Sequence, residues 1–184
     1  MSVRAIVWDV EIATSPDECI NGWEGARRGE CGISCVALHD SQSGRLHVYD
    51  EHDLETCVDH LNEADLLIGF NTIEFDTPAL QGASDLDIEP EQYDILHEIW
   101  RALGHREKGF KLDDICQRLK LGQKNSNGAF ATQLYRDGNF GRLFDYCMND
   151  VHLTKMLSNY IDVHGFITDS HANILHLRTP GTEV

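Results

Sequence analysis

The sequence predicts a mixed α/β domain with helices packed on a central sheet. Three observations lead there. Three β-rich runs follow one another within the first 50 residues. Beyond them, most segments carry apolar residues at helical spacing, with a short apolar run among them. The 184 residues, 41% hydrophobic and with only four prolines, suffice for one domain, 1–184, with a substantial core.

Residues 3–10 read as a central strand, apolar on nearly all of both faces. Residues 13–32, glycine-bearing and mixed in charge, read as a loop. Strands follow at 33–39 and 45–49, joined by the turn formers of 40–44, so three antiparallel strands come in a row. A helix over 53–63 carries Leu54, Cys57, Val58 and Leu61 on one stripe. A fourth strand covers 66–70, and a helix over 75–82 holds Pro78 in its first turn. After an acidic linker at 83–90, residues 93–96 are either a short buried strand or the start of a helix running to Leu103. Helical spacing returns over 111–119 and stops at Gly122, and 123–128 is a polar loop. The last helix, 143–160, aligns Leu143, Tyr146, Cys147, Asp150, Val151, Thr154 and Leu157. The tail from 165 adds one edge strand near 174–177.

The formal charge of −16 makes the chain a poor general binder of phosphate backbones. Its distribution is uneven. Residues 1–100 hold 22 acids against four Lys/Arg, a net of −18, whereas 101–184 hold nine against 11, a net of +2. A local basic surface over 101–124 is therefore compatible with an acidic whole. No apolar run is long enough to span a membrane, and no leader pattern opens the chain. Six scattered cysteines without CxxC spacing read as reduced thiols of a cytoplasmic protein. Cys31 and Cys35 are either the seed of a zinc site or, more simply, small buried hydrophobes.

The chemistry begins at the first strand. Residues two apart on a strand share a face, so Asp9 and Glu11 project together, away from Ile6, Trp8 and Val10. Two like charges at the end of a buried strand raise each other's energy, and a divalent cation relieves them. Asp76 lies at a helix N-terminus, which alone would explain an acid. Tyr146 and Asp150, four apart, share the core-facing stripe of the last helix. An aspartate there needs compensation, from a surface arginine at the margin or from a metal shared with Asp9 and Glu11. Together the four carboxylates offer hard oxygen ligands for two Mg²⁺ or Mn²⁺ ions. Two such ions about 3.5–4 Å apart serve in-line phosphoryl displacement. Tyr146 places its phenol where it can hold the attacking water.

These residues resemble the DEDD superfamily of exonucleases, which share a ribonuclease H-like fold. Asp9-x-Glu11 is similar to its first motif. Asn71, Phe75 and Asp76, with Pro78 following as in proofreading domains of family B DNA polymerases, are similar to the second. Tyr146-x-x-x-Asp150 is similar to the third in its tyrosine-bearing branch. The resemblance covers about residues 3–160 and extends to Phe110–Asp113 and the Gly122 loop. It implies a central mixed five-stranded sheet, three antiparallel strands then parallel ones, with a strand at 93–96. It also implies a 3′→5′ exonuclease that releases nucleoside monophosphates from single-stranded ends, DNA before RNA. Asp9, Glu11, Asp76 and Asp150 would hold the two metals, and Tyr146 would orient the water. Any role in replication or repair would serve a separate partner, a polymerase, helicase or repair protein. One departure is Ile12, where the family often has Thr or Ser helping to hold the 3′ end.

Other contacts are open from sequence. Asn71 and Phe75 are candidates for touching the terminal nucleotide and Phe70 for stacking on a base, with core packing the simpler reading of both phenylalanines. Lys108, Lys111 and Lys124 are candidate phosphate contacts or plain solvated surface. Two other functions fit the same pattern: a catalytically silent binding or scaffold module, and a metal-dependent endonuclease on a similar fold.

Overall fold

The computed structural model describes residues 3–124 and 128–180. β1 (Ala5–Ile12) lies in the middle of a five-stranded sheet ordered β3-β2-β1-β4-β5. Its neighbours are β2 (Ile33–Asp40), β3 (Arg45–Asp50), β4 (Leu66–Gly69) and β5 (Glu91–Asp94). β1, β2 and β3 pair antiparallel, while β4 and β5 join in parallel. This is the mixed sheet expected.

A strand apolar on both faces has to be covered on both faces, and β1 is. Ile6, Trp8, Val10 and Ile12 enter one core with α1 (Gly22–Arg27), α2 (Leu54–Asn62) and α3 (Asp76–Ser84) around it. Val7 enters the other, beneath α7 (Phe140–His164) and beside α4 (Ile95–Leu103), α5 (Leu112–Arg118) and α6 (Gly128–Arg136). Trp8 is fully buried, and trimming such a side chain to alanine costs about 3–5 kcal/mol. At one end of the sheet, Arg4 donates from Nε and Nη2 to buried Asp40 at 3.3 and 3.1 Å. Burial alone would raise the Asp40 pKa, but Arg4 and the Gln42 N–H hold it well below the usual carboxylate range.

Several sequence expectations are corrected. Residues 13–32 are not an unbroken loop: a 3-10 turn, Pro16–Glu18, and α1 occupy them. Tertiary contact rather than propensity holds α1, because Gly29 and Gly82 meet backbone to backbone. A Cβ on Gly82 would lie 2.2 Å from the Arg28 carbonyl oxygen, and one on Gly29 2.3 Å from the Ala83 nitrogen. A disulfide between Cys19 and Cys31 ties the segment's ends, so the cysteines are not all reduced thiols. The other four are free and buried, and Cys31 is not available to seed a zinc site with Cys35.

β5 starts two residues before the apolar run that suggested it. The Asp94 carboxylate accepts the N–H groups of Leu96 and His97, so a helix begins at Ile95 and takes that apolar pair. α6 was not anticipated, and α7 runs to His164, where Gly165 at φ +71° ends it in the left-handed conformation. The tail does not extend the main sheet. β6 (Phe166–Thr168) and β7 (Ile174–His176) form their own antiparallel hairpin. Beyond it Arg178 pairs with Glu98, and the Tyr93 hydroxyl donates to the Arg178 carbonyl at 2.6 Å. The loop expected over 123–128 is partly outside the described residues.

Candidate metal centre

β1 pairs with β4 only from Ala5 to Val7, while its pairing with β2 continues to Ile12. Beyond Val7 the two parallel strands part, and the backbone of β1 is open on that side. α3 enters here. The first residue of α3, Asp76, is buried, and its Oδ1 accepts the Val10 N–H at 2.9 Å. The approach to α3 is set by a second carboxylate: Asp94 accepts the N–H groups of Asn71 and Ile73 at 2.9 and 3.0 Å. Asn71 sits at φ +71°, a conformation asparagine tolerates better than most residues. The segments bearing the first two motifs are thus held by hydrogen bonds from backbone N–H groups to a buried acid.

Asp9 and Glu11 lie on the face of β1 turned toward α7. The Cys147 thiol donates to the Asp9 carbonyl at 3.6 Å and to its Oδ2 at 3.9 Å. Ligand atoms of Asp9, Glu11 and Cys147 all lie within 4.8 Å of one another. One turn along α7, Asp150 is 2% exposed. Its Oδ2 accepts the Lys124 ammonium, and its Oδ1 has no hydrogen-bond partner among the described residues. Lys124 Nζ also stands 5.7 Å from the centroid of the Tyr146 ring.

Burial and mutual repulsion dominate the electrostatics. Burial first, then Asp76 and Asp150, push Asp9 well above the usual carboxylate range. Burial, Asp9 and Asp150 do the same to Glu11. Burial pushes Asp76 up to about 7 and also raises Asp150, although Lys124 opposes the latter shift. For Lys124, burial disfavours the charge, but Asp150 and Asp9 outweigh it and hold the ammonium protonated. Burial, helped by Glu11 and Asp150, raises the Tyr146 phenol, so it remains a neutral donor. Burial also raises the Cys147 thiol; a protonated thiol that donates to Asp9 is no ligand for a hard cation.

Asp9, Glu11, Asp76, Tyr146 and Asp150 therefore come from three separate stretches to one place. Lys124 joins them through Asp150. Lys108 and Lys111 are exposed, just ahead of α5, and apart from the cluster. Ile12 is buried in the core on the other side of β1. Phe75 is partly buried and meets Trp23 edge-on, with ring centroids 6.0 Å apart. Phe70 packs against the core beneath α7. Sequence reasoning missed two neighbours. Cys147 was visible only as part of the core stripe, and Asp94 has the signature of a helix N-cap at the end of an apolar run.

A hard divalent cation fits this donor set. Four carboxylates repel one another in a buried space, one of their oxygens has no partner, and the lysine that does reach them is itself a cation.

The fold is similar to that of the family B DNA polymerase from the hyperthermophilic archaeon Pyrobaculum calidifontis, with a TM-score of 0.67 and 16% identity. The match covers 88% of this chain and 25% of the polymerase, so the chain spans about a quarter of that protein's length. No curated protein matches the chain. The family model of the RNase H superfamily matches residues 29–162, from just before β2 almost to the end of α7. By that match, which supports nuclease chemistry in general, the chain belongs to the RNase H superfamily.

Proposed function

We propose that the chain is a two-metal 3′→5′ exonuclease of the tyrosine-bearing DEDD branch, acting on single-stranded ends, DNA before RNA. One observation carries this reading: four carboxylates from β1, α3 and α7 converge with a tyrosine, although each raises the energy of the others. A fold has no reason to gather them unless a cation is to be held. In this reading, residues 1–184 act as one catalytic domain recruited by a polymerase, helicase or repair protein. Among the described residues, no helix is long and apolar enough to cross a membrane.

Asp9, Glu11, Asp76 and Asp150 would hold two Mg²⁺ or Mn²⁺ ions. When bound, such ions lower the pKa of water and stabilise charge on the attacking and leaving oxygens. The residues of the chain do the rest. Tyr146, neutral and buried, hydrogen-bonds the attacking water and sets its direction. Lys124, protonated and next to Asp150, would offer its ammonium to a phosphate oxygen of the strand. Water adds to phosphorus and the bond to the 3′ oxygen breaks. A nucleoside 5′-monophosphate leaves, and the shortened strand keeps a 3′ hydroxyl.

The test is Mg²⁺- or Mn²⁺-dependent shortening of a 5′-labelled single-stranded oligonucleotide, with mononucleotide products. Asp9→Ala and Asp150→Ala should each lower the rate by about a thousandfold or more, and Tyr146→Phe by about tenfold or more. Equal rates in the two alanine variants and the native chain would remove the four-acid mechanism. Cutting of circular single strands would favour an endonuclease instead.

A further inference from the structure

We infer that Trp23 is a stacking platform for an unpaired base, held by its contact with Phe75 against the segment that delivers Asp76 to the acid cluster. The proposal rests on the nuclease reading for the kind of ligand that arrives, and on this chain's own geometry for the place.

Trp23 is 59% exposed, although its side chain is the largest apolar one available. An exposed tryptophan on a floppy loop would mean little. This one is rigidly seated. It meets Phe75 at an interplanar angle of 63°, and Phe75 immediately precedes Asp76. One turn further along α1, Arg27 Nε donates to the Glu74 carbonyl at 3.0 Å. The same helix runs into Gly29, in backbone contact with Gly82 of α3, and its flanks are closed by the Cys19–Cys31 disulfide. On the other side, Glu18 takes Arg136 of α6 at 2.5 Å. α1 is thus fixed to the segment that delivers Asp76, and what it shows to solvent there is an indole.

Charge gives the reason for an aromatic at this point. The first 100 residues, which supply β1, α1 and α3, carry a net of −18. Phosphates approaching that half are repelled, so the usual electrostatic grip on a nucleic acid is weak there. Stacking of a base on an aromatic face does not depend on charge and tolerates any base. The edge contact with Phe75 engages only part of the indole, and the exposed remainder has the size and chemistry of a base partner. A single strand would then be held on this acidic half by its bases, along α1, rather than by its phosphates.

The test is binding of a fluorescein-labelled 12-nucleotide single strand, measured by anisotropy in Ca²⁺ and across a salt series. Trp23→Ala should weaken binding about 5- to 100-fold, by a factor that salt barely changes, while Trp23→Phe recovers most of it. On a strand whose 3′-terminal nucleotides are abasic, native and Trp23→Ala proteins should bind alike. Binding of the intact strand by Trp23→Ala within twofold of native, or an equal loss on the abasic strand, overturns the proposal. If the native protein cleaves nothing while Trp23→Ala still loses binding, the nuclease reading fails and the platform stands. If it cleaves and Trp23→Ala binds like native, the reverse holds.

Discussion

Lys124 Nζ lies on Asp150 Oδ2 and 5.7 Å from the Tyr146 ring centroid, so its ammonium offsets the acid cluster from the Asp150 side. Removing one partner of a buried pair usually costs about 3–5 kcal/mol. Here Asp150 can take up a proton instead, which softens the loss. Lys124→Met should therefore lower metal-free stability by about 1–3 kcal/mol. Mn²⁺ should raise the melting temperature of the variant more than that of the native chain, since the ion replaces the missing charge. Thermal scans in EDTA and in Mn²⁺ check both; an unaltered metal-free melting temperature would count against the compensating role.

Proton competition follows from the raised acids. Asp9, Glu11 and Asp150 sit above their ordinary range and Asp76 near 7. Between about pH 4, where unfolded carboxylates ionise, and about 7, the metal-free fold holds protons that the unfolded chain has released. Its stability therefore falls as pH rises through that window. A cation must displace the same protons, so Mn²⁺ affinity should climb from pH 5.5 to 8 with proton release. Calorimetry in two buffers of different ionisation enthalpy reads the protons directly. Affinity that stays flat with pH would contradict the raised values.

Arg4 and Asp40 behave in the opposite sense. The folded pKa of Asp40 is depressed, so its contribution is present above the unfolded value of about 4 and is lost as pH falls through the folded one. Arg4→Ala leaves a buried carboxylate without its main partner and should cost about 3 kcal/mol at pH 7. The deficit should shrink in acid. Urea midpoints of the two proteins at pH 7 and pH 3 provide the comparison.

Gly82→Ala sets two effects against each other. Alanine is about 1 kcal/mol better than glycine inside a helix. Its Cβ, however, would sit 2.2 Å from the Arg28 carbonyl oxygen, a backbone atom that cannot swing aside. Overpacking of this kind costs about 1–3 kcal/mol, so the net change should be destabilising. It should also loosen α1 and weaken oligonucleotide binding in step with Trp23→Ala. Urea unfolding and anisotropy on one preparation decide the matter.

What was readable from sequence depended on whether the cause was local. The pairing of Asp9 with Glu11 is a two-residue periodicity, and that of Tyr146 with Asp150 a helical turn, so both could be read directly. Asp76 was placed by the strand before it and Pro78 after it. By contrast, α1 exists because Gly29 and Gly82 let two backbones touch, a contact between residues 53 positions apart that no window of sequence displays. β5 was misplaced because Tyr93–Leu96 read as one short run, and only the capping carboxylate of Asp94 within it divides strand from helix. The Cys19–Cys31 bond was invisible for the same reason as α1: spacing alone does not say which thiols meet. Lys124 was legible as a cation near the third motif, but its partner was not.

The early parting of β1 from β4 gives the site a built-in reporter. Past Val7 no neighbouring strand on that side protects the β1 backbone, and the Val10 amide is held by Asp76 instead. Its proton can exchange with solvent only when α3 withdraws from the strand. The deuterium uptake rate of this one amide, set against that of Val7 within the paired stretch, therefore measures how often the acid cluster comes apart, with no substrate or metal needed.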